Sequence, residues 1–207
     1  EVNIDYPEHD VEELTSAFIR ERCGEALEEI RRLLKTANEG RILRDGLMTA
    51  IVGRPNVGKS SLLNLLAGAE RAIVTDIPGT TRDVIEEYVT VSGIPLRLLD
   101  TAGIRETTDV VERIGVERSR SALSDADLLL VVLNRSEPLH EDDRTLLGQA
   151  AGRQAIVILN KSDLPAKLDE DEVRRLLPEA AVVPMSVKEG AGLEELGQAI
   201  AALFFSG

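Results

Sequence analysis

The chain has 207 residues, room for one ordinary domain and an appendage but not for two full-sized domains. Its 24 Lys and Arg stand against 37 Asp and Glu, a net charge of −13 that disfavours duplex DNA and anionic membranes as partners. The few aromatics, with no Trp, leave little for stacking single-stranded bases, and the single Cys23 excludes an internal disulfide or a cysteine zinc cluster.

The opening stretch E-V-N-I-D-Y-P-E-H-D is acidic, unlike a signal or transit peptide. No apolar run approaches the roughly 20 residues that span a bilayer, so the expected setting is soluble and cytoplasmic. Over residues 11–37 the apolar positions step by three and four, from Leu14, Phe18 and Ile19 through Leu27 and Ile30 to Leu33 and Leu34. Charges fill the other positions, which predicts an amphipathic helix stopped near Gly40, with Cys23 on or beside the apolar stripe as a packing thiol.

After Gly46 short apolar runs alternate with helical stretches: 47–53, 96–100, 128–134, 155–160 and 181–185. Runs without alternation predict strands buried on both faces of a mostly parallel sheet. Residues 84–92 alternate in part, and only residues 93–95 separate them from the next run, too few for a crossover helix. That pair is expected to be antiparallel, with 84–92 towards the sheet edge. The expected fold class is therefore α/β, six strands with one antiparallel edge strand, preceded by an amphipathic helix. The domain reading is a helical segment over 1–46 and a nucleotide domain over 47–207.

The strongest motif is G-R-P-N-V-G-K-S at 53–60, between a predicted strand and a predicted helix at 61–66. A glycine-rich loop opening a helix cradles phosphates with its N–H groups, here from Asn56, Val57, Gly58, Lys59, Ser60 and Ser61. Lys59 is expected on the β- and γ-phosphates and the Ser60 hydroxyl on Mg²⁺. D-T-A-G at 100–103 ends a strand about 40 residues on. Asp100 is expected to act on Mg²⁺ through water, and Gly103 to offer an N–H to the γ-phosphate.

N-K-S-D at 160–163 ends a further strand. The Asp163 carboxylate can accept from the guanine N1–H and 2-amino group, which adenine lacks, so Asn160, Lys161 and Asp163 point to GTP. Ser186, Val187 and Lys188 fit the remaining base-contact loop. Between the phosphate loop and D-T-A-G lies T-D-I-P-G-T-T-R-D at 75–83, an irregular segment whose threonines can swing onto Mg²⁺. Spacing alone leaves Thr80 and Thr81 both open for that role.

Taken together, G-R-P-N-V-G-K-S-S-L-L-N, T-D-I-P-G-T-T-R-D, D-T-A-G-I-R-E, N-K-S-D and V-E-R-I-G-V-E-R-S resemble the translation-factor-related GTPases, and among them the tRNA-modifying MnmE family. The resemblance implies a Ras-like P-loop GTPase fold. Ile104 stands where Ras-like enzymes place a water-orienting Gln. The resemblance instead implies K⁺ as the added positive charge, with Asn56 and the carbonyls of Thr75, Ile77 and Thr80 as ligands. It also implies Thr81 on Mg²⁺ and Glu112 orienting the attacking water. Further implications are activation by a transient homodimer of GTPase domains, and work with an MnmG-like protein on the wobble uridine of tRNA at carbon 5. A folate-binding domain and a C-terminal helical segment of that family are expected to lie outside these 207 residues. The competing reading is a ribosome-assembly GTPase of the Der or Era type. Era-type proteins carry a basic RNA-binding domain, and Der-type proteins a second G-K-S/T loop; neither is in this sequence.

Overall fold

The computed structural model describes residues 8–69, 87–99, 101, 104 and 124–205, with the backbone alone for 8–14 and 69. The chain divides into two compact units, Glu1–Arg41 and Ile42–Gly207.

In the first unit the described residues form most of helix α1 (Glu8–Asp45), whose last residues belong to the second. The helix is longer than the predicted 11–37, because Gly40 does not stop it. Its stop is Gly46, whose φ of +84° continues the chain in a left-handed turn, with its N–H donating to the Ile42 carbonyl at 2.9 Å. Side chains 15–38 are all exposed, including Phe18, Ile19, Leu27, Ile30, Leu33 and Leu34. Cys23 is exposed too, so the packing role expected of its thiol is not met among the described residues. Ion pairs at i,i+3 spacing run along the described part of the helix, among them Arg22–Glu25, Glu28–Arg31 and Glu29–Arg32.

The second unit is a six-stranded sheet with helices. Its described elements are β1 (Leu47–Val52), α2 (Lys59–Ala69), β2 (Glu87–Val91), β3 (Ile94–Leu98), β4 (Leu128–Asn134), α3 (Glu141–Ala150), β5 (Ala155–Asn160), α4 (Glu170–Leu176), β6 (Ala181–Pro184) and α5 (Leu193–Phe204). The strand order is β2-β3-β1-β4-β5-β6. All pairs are parallel except β2–β3, where Val91 pairs with Ile94 across a two-residue turn at Ser92 and Gly93. The antiparallel edge strand expected from the sequence is thus present. Its partner starts earlier than predicted, at Ile94 rather than Leu96. Pro95 is tolerated inside β3 because it faces Thr90 next to the closing pair of the turn, where a residue's N–H points away from β2.

Alternating side chains explain the unbroken apolar runs. Leu128, Leu130 and Val132 of β4 enter one core with Leu62, Leu63 and Leu66 of α2 and Leu196 and Ile200 of α5. Leu129, Val131 and Leu133 enter the other, with Leu147 of α3 and Val173 of α4. A sheet covered on both faces has no polar side to show.

Candidate nucleotide site

Parallel strands deliver their carboxyl ends to one edge, and the order reverses around β1, whose neighbours are β3 and β4. Crevices that take ligands in open α/β sheets lie at such a reversal, outside the strand ends. The loop that leaves β1 there is 53–58, followed at once by the N-terminus of α2.

The loop's shape is set by its residues. Asn56 sits exposed at φ +63°, a left-handed conformation that asparagine adopts more readily than most residues. Val57 turns its side chain into the core, 1% exposed. Gly58 has φ +108°, and a Cβ there would collide with the Asn160 side-chain nitrogen, so only glycine fits. The Lys59 ammonium donates to the Gly53 carbonyl at 2.6 Å, spanning the loop. Burial disfavours its charge and lowers its pKa. The Ser60 hydroxyl donates to the Ile104 carbonyl at 2.6 Å, and Ser61 is exposed in the first turn of α2. Ile104 itself is buried in the core, consistent with a side chain that does not act on water.

Asn160, at the end of β5, is 4% exposed and holds two loops at once. Its side-chain nitrogen donates to the Val57 carbonyl at 2.8 Å, and its side-chain oxygen accepts from the Val187 N–H at 3.1 Å. The next residue, Lys161, turns the chain at φ +63°. Asp163 follows, exposed, with Oδ1 accepting from the buried Ser186 hydroxyl at 2.9 Å. The Ser162 N–H donates to the Met185 carbonyl at 3.0 Å. Ser186 precedes a short 3₁₀ turn, Val187–Glu189, in which Val187 is buried and Lys188 exposed. Three segments far apart in sequence are therefore fastened together: the phosphate loop, N-K-S-D and S-V-K.

Asp100, Gly103, Glu112, Thr75, Ile77, Thr80 and Thr81 lie outside the described residues. Thr101, next to Asp100, is fully buried. Sequence reading missed the partners of Arg54. Its guanidinium meets Asp143 at 2.8 Å and Glu137 at 3.2 Å. An 89-residue separation gives no local signal from which that pair could be found. The double grip of Asn160 was also unread, since N-K-S-D alone points to the base and not to the phosphate loop.

Residues 48–161 match the family described as 50S ribosome-binding GTPase. Over 208 aligned residues covering the whole chain, the chain is 60% identical to the tRNA modification GTPase MnmE of Enterococcus faecalis, and 61% identical to that of Geobacillus kaustophilus. It spans 45% of the length of each of those relatives. Among solved structures it is similar to an Aquifex aeolicus Era variant bound to GDP and AlF4⁻, at 34% identity and a TM-score of 0.57. That match covers 77% of this chain and 57% of the other. The G domain of the T. maritima FeoB iron transporter is 31% identical, with a TM-score of 0.52 over 74% of this chain and 95% of that one.

Proposed function

The chain belongs to the 50S ribosome-binding GTPase family, and from that premise we propose that it binds GTP across the three fastened loops and hydrolyses it to GDP and phosphate. The observation that carries the reading is Asn160, bonded at once to the phosphate loop and to the S-V-K loop. A molecule with a phosphate chain at one end and a base at the other suits two loops fastened in this way.

Lys59 neutralises the β- and γ-phosphates, where its lowered pKa is reversed by the incoming negative charge. Asp163, aimed by Ser186, accepts from the guanine N1–H and 2-amino group, while Val187 and Lys188 flank the guanine O6. Adenine leaves that carboxylate unpaired, which selects against ATP. The described donors suit Mg²⁺: Ser60 offers a neutral hydroxyl oxygen beside the phosphate loop, and Mg²⁺ takes few protein oxygens alongside phosphate and water. When bound, Mg²⁺ spreads the charge that develops on the phosphate oxygens. Thr81 or Thr80, and Asp100 through water, would hold it together with Ser60. The exposed Asn56 amide suits K⁺, with carbonyls of Thr75, Ile77 and Thr80. Glu112 orients the attacking water and Gly103 donates to the γ-phosphate.

The likeness to MnmE, over all of this chain and 45% of that relative, supports a place for it in a tRNA-modifying enzyme. There, GTP hydrolysis in a transient pair of these domains serves an MnmG-like partner acting on tRNA in the cytoplasm. The likeness to Era favours a second reading, a ribosome-assembly GTPase, but it is lower in identity and covers less of the chain. The test is GTP turnover per site in KCl and in NaCl at equal ionic strength, over a range of protein concentrations. Faster turnover in KCl, growing with concentration, supports K⁺ and the domain pair. Turnover indifferent to both removes them and leaves a nucleotide switch.

A further inference from the structure

Arg54 is the second residue of the phosphate loop, where an arginine invites the reading that it binds phosphate. Its guanidinium is already committed elsewhere. The Nε donates to Asp143 Oδ1 at 2.8 Å, and a terminal nitrogen donates to Glu137 Oε2 at 3.2 Å. Asp143 is a buried carboxylate, its side chain 2% exposed, near the start of α3. Its other oxygen accepts from the His140 N–H at 2.9 Å, closing the turn that begins the helix. A carboxylate taken out of water is costly without its counter-charge, so Asp143 does not readily release Arg54.

The loop thus has two tethers. Asn160 holds its rear through the Val57 carbonyl, and Arg54 holds its front against α3. Between them lie Pro55 and the left-handed Asn56, with no strand or helix to fix their shape. We propose that Arg54 is a positioning residue: its ion pair with Asp143 holds the phosphate loop in its binding shape and thereby sets how long a guanine nucleotide stays bound. Arg54 acts through the loop and not by touching phosphate, because its Nε and one terminal nitrogen are held by two carboxylates. The proposal rests on the GTP reading above.

The experiment follows release of a fluorescent GDP analogue by stopped flow, in the 207-residue chain and in Arg54→Met, Arg54→Lys, Asp143→Asn and the Arg54→Met/Asp143→Asn double variant. Thermal unfolding is recorded for each. Asp143→Asn keeps an acceptor for the His140 N–H and removes both the charge and the acceptor that the Arg54 Nε–H uses. Release about tenfold faster is expected for Arg54→Met and for Asp143→Asn, the scale of coupling between contacting groups. The double variant should be no faster than either single one, and Arg54→Lys should recover part of the wild-type rate. A direct phosphate ligand predicts the opposite for Asp143→Asn, since a freed Arg54 would then slow release. Slower release in that variant overturns the proposal. So does a lowered melting temperature with unchanged release, which marks a merely structural pair. Failure of the wild-type chain to bind the analogue overturns the GTP reading, and the clamp with it. Variants that do not fold are replaced by Glu137→Gln, which loosens the exposed arm of the same clamp and must accelerate release by a smaller factor; no acceleration there overturns the proposal.

Discussion

Lys59 is asked to do two things that conflict. Burial beside the loop disfavours its charge and lowers its pKa, whereas phosphate requires that charge. The sign of the consequence is fixed by linkage. Between the lowered value and the ordinary lysine value, the unfolded chain binds more protons than the folded one, so stability of the ligand-free protein rises with pH in that window. Nucleotide binding then takes up a proton, and affinity falls as pH rises through the lowered value. Titration calorimetry of GDP binding at alkaline pH, in buffers of different ionisation enthalpy, should show proton uptake that vanishes at neutral pH. Binding with no proton exchange at any alkaline pH contradicts this account of Lys59. The motifs G-R-P-N-V-G-K-S and N-K-S-D are legible as candidates for the phosphate and base ends, and the structure joins them at Asn160. What they did not announce was Arg54 turning to Asp143, because ion pairing across 89 residues depends on the fold and leaves no local pattern.

At the scale of elements, the site is a set of strand ends held in common. β5 ends on Asn160, β1 feeds the phosphate loop, and the residue after β6 begins the chain towards Ser186. Replacing Asn160 by Ala strands the Val57 carbonyl and the Val187 N–H, each worth about 1–3 kcal/mol when a buried polar group loses its partner. The expected outcome is a lower melting temperature together with weaker binding of GDP and of inorganic pyrophosphate, because the loops at both ends loosen. A loss confined to GDP, with pyrophosphate unchanged, would limit Asn160 to the base. The strands were legible in the sequence, because a sheet buried on both faces writes itself as unbroken apolar runs. Strand ends were read less well. Residues 96–100 missed the start of β3, since a proline in a strand is unreadable until its pairing is known. The sequence points to Gly40 as the helix stop, whereas the working one is Gly46; a glycine ends a helix where its backbone turns left-handed, which composition does not display.

Over the whole chain the two units differ in what holds them. In the second, β4 and β5 are buried along every residue between two apolar cores. In the first, the described side chains of α1 from 15 to 38 are exposed and its visible support is local ion pairing. Native-state hydrogen exchange should therefore show amides of 129–133 and 156–159 opening only with global unfolding. Amides of 15–38 should exchange by local opening, at rates insensitive to mutations in the core. Equal protection of both sets in a dilute monomer contradicts this division. The helix α1 is legible from its pattern, but an apolar stripe promises a partner surface without saying where it lies, and the described side chains from 15 to 38 are exposed.

The central claim is a site that reads guanine through Asp163 while the phosphate loop holds the other end. It is tested most directly by equilibrium binding of GDP, ADP and xanthosine diphosphate to the wild-type chain and to Asp163→Asn. The account predicts that the wild type binds GDP and rejects ADP. It predicts that Asp163→Asn weakens GDP by about 10²-fold or more, as a lost charge-assisted pair implies, and gains affinity for xanthosine diphosphate. Undiminished GDP binding by Asp163→Asn, or ADP bound as well as GDP by the wild type, would contradict it.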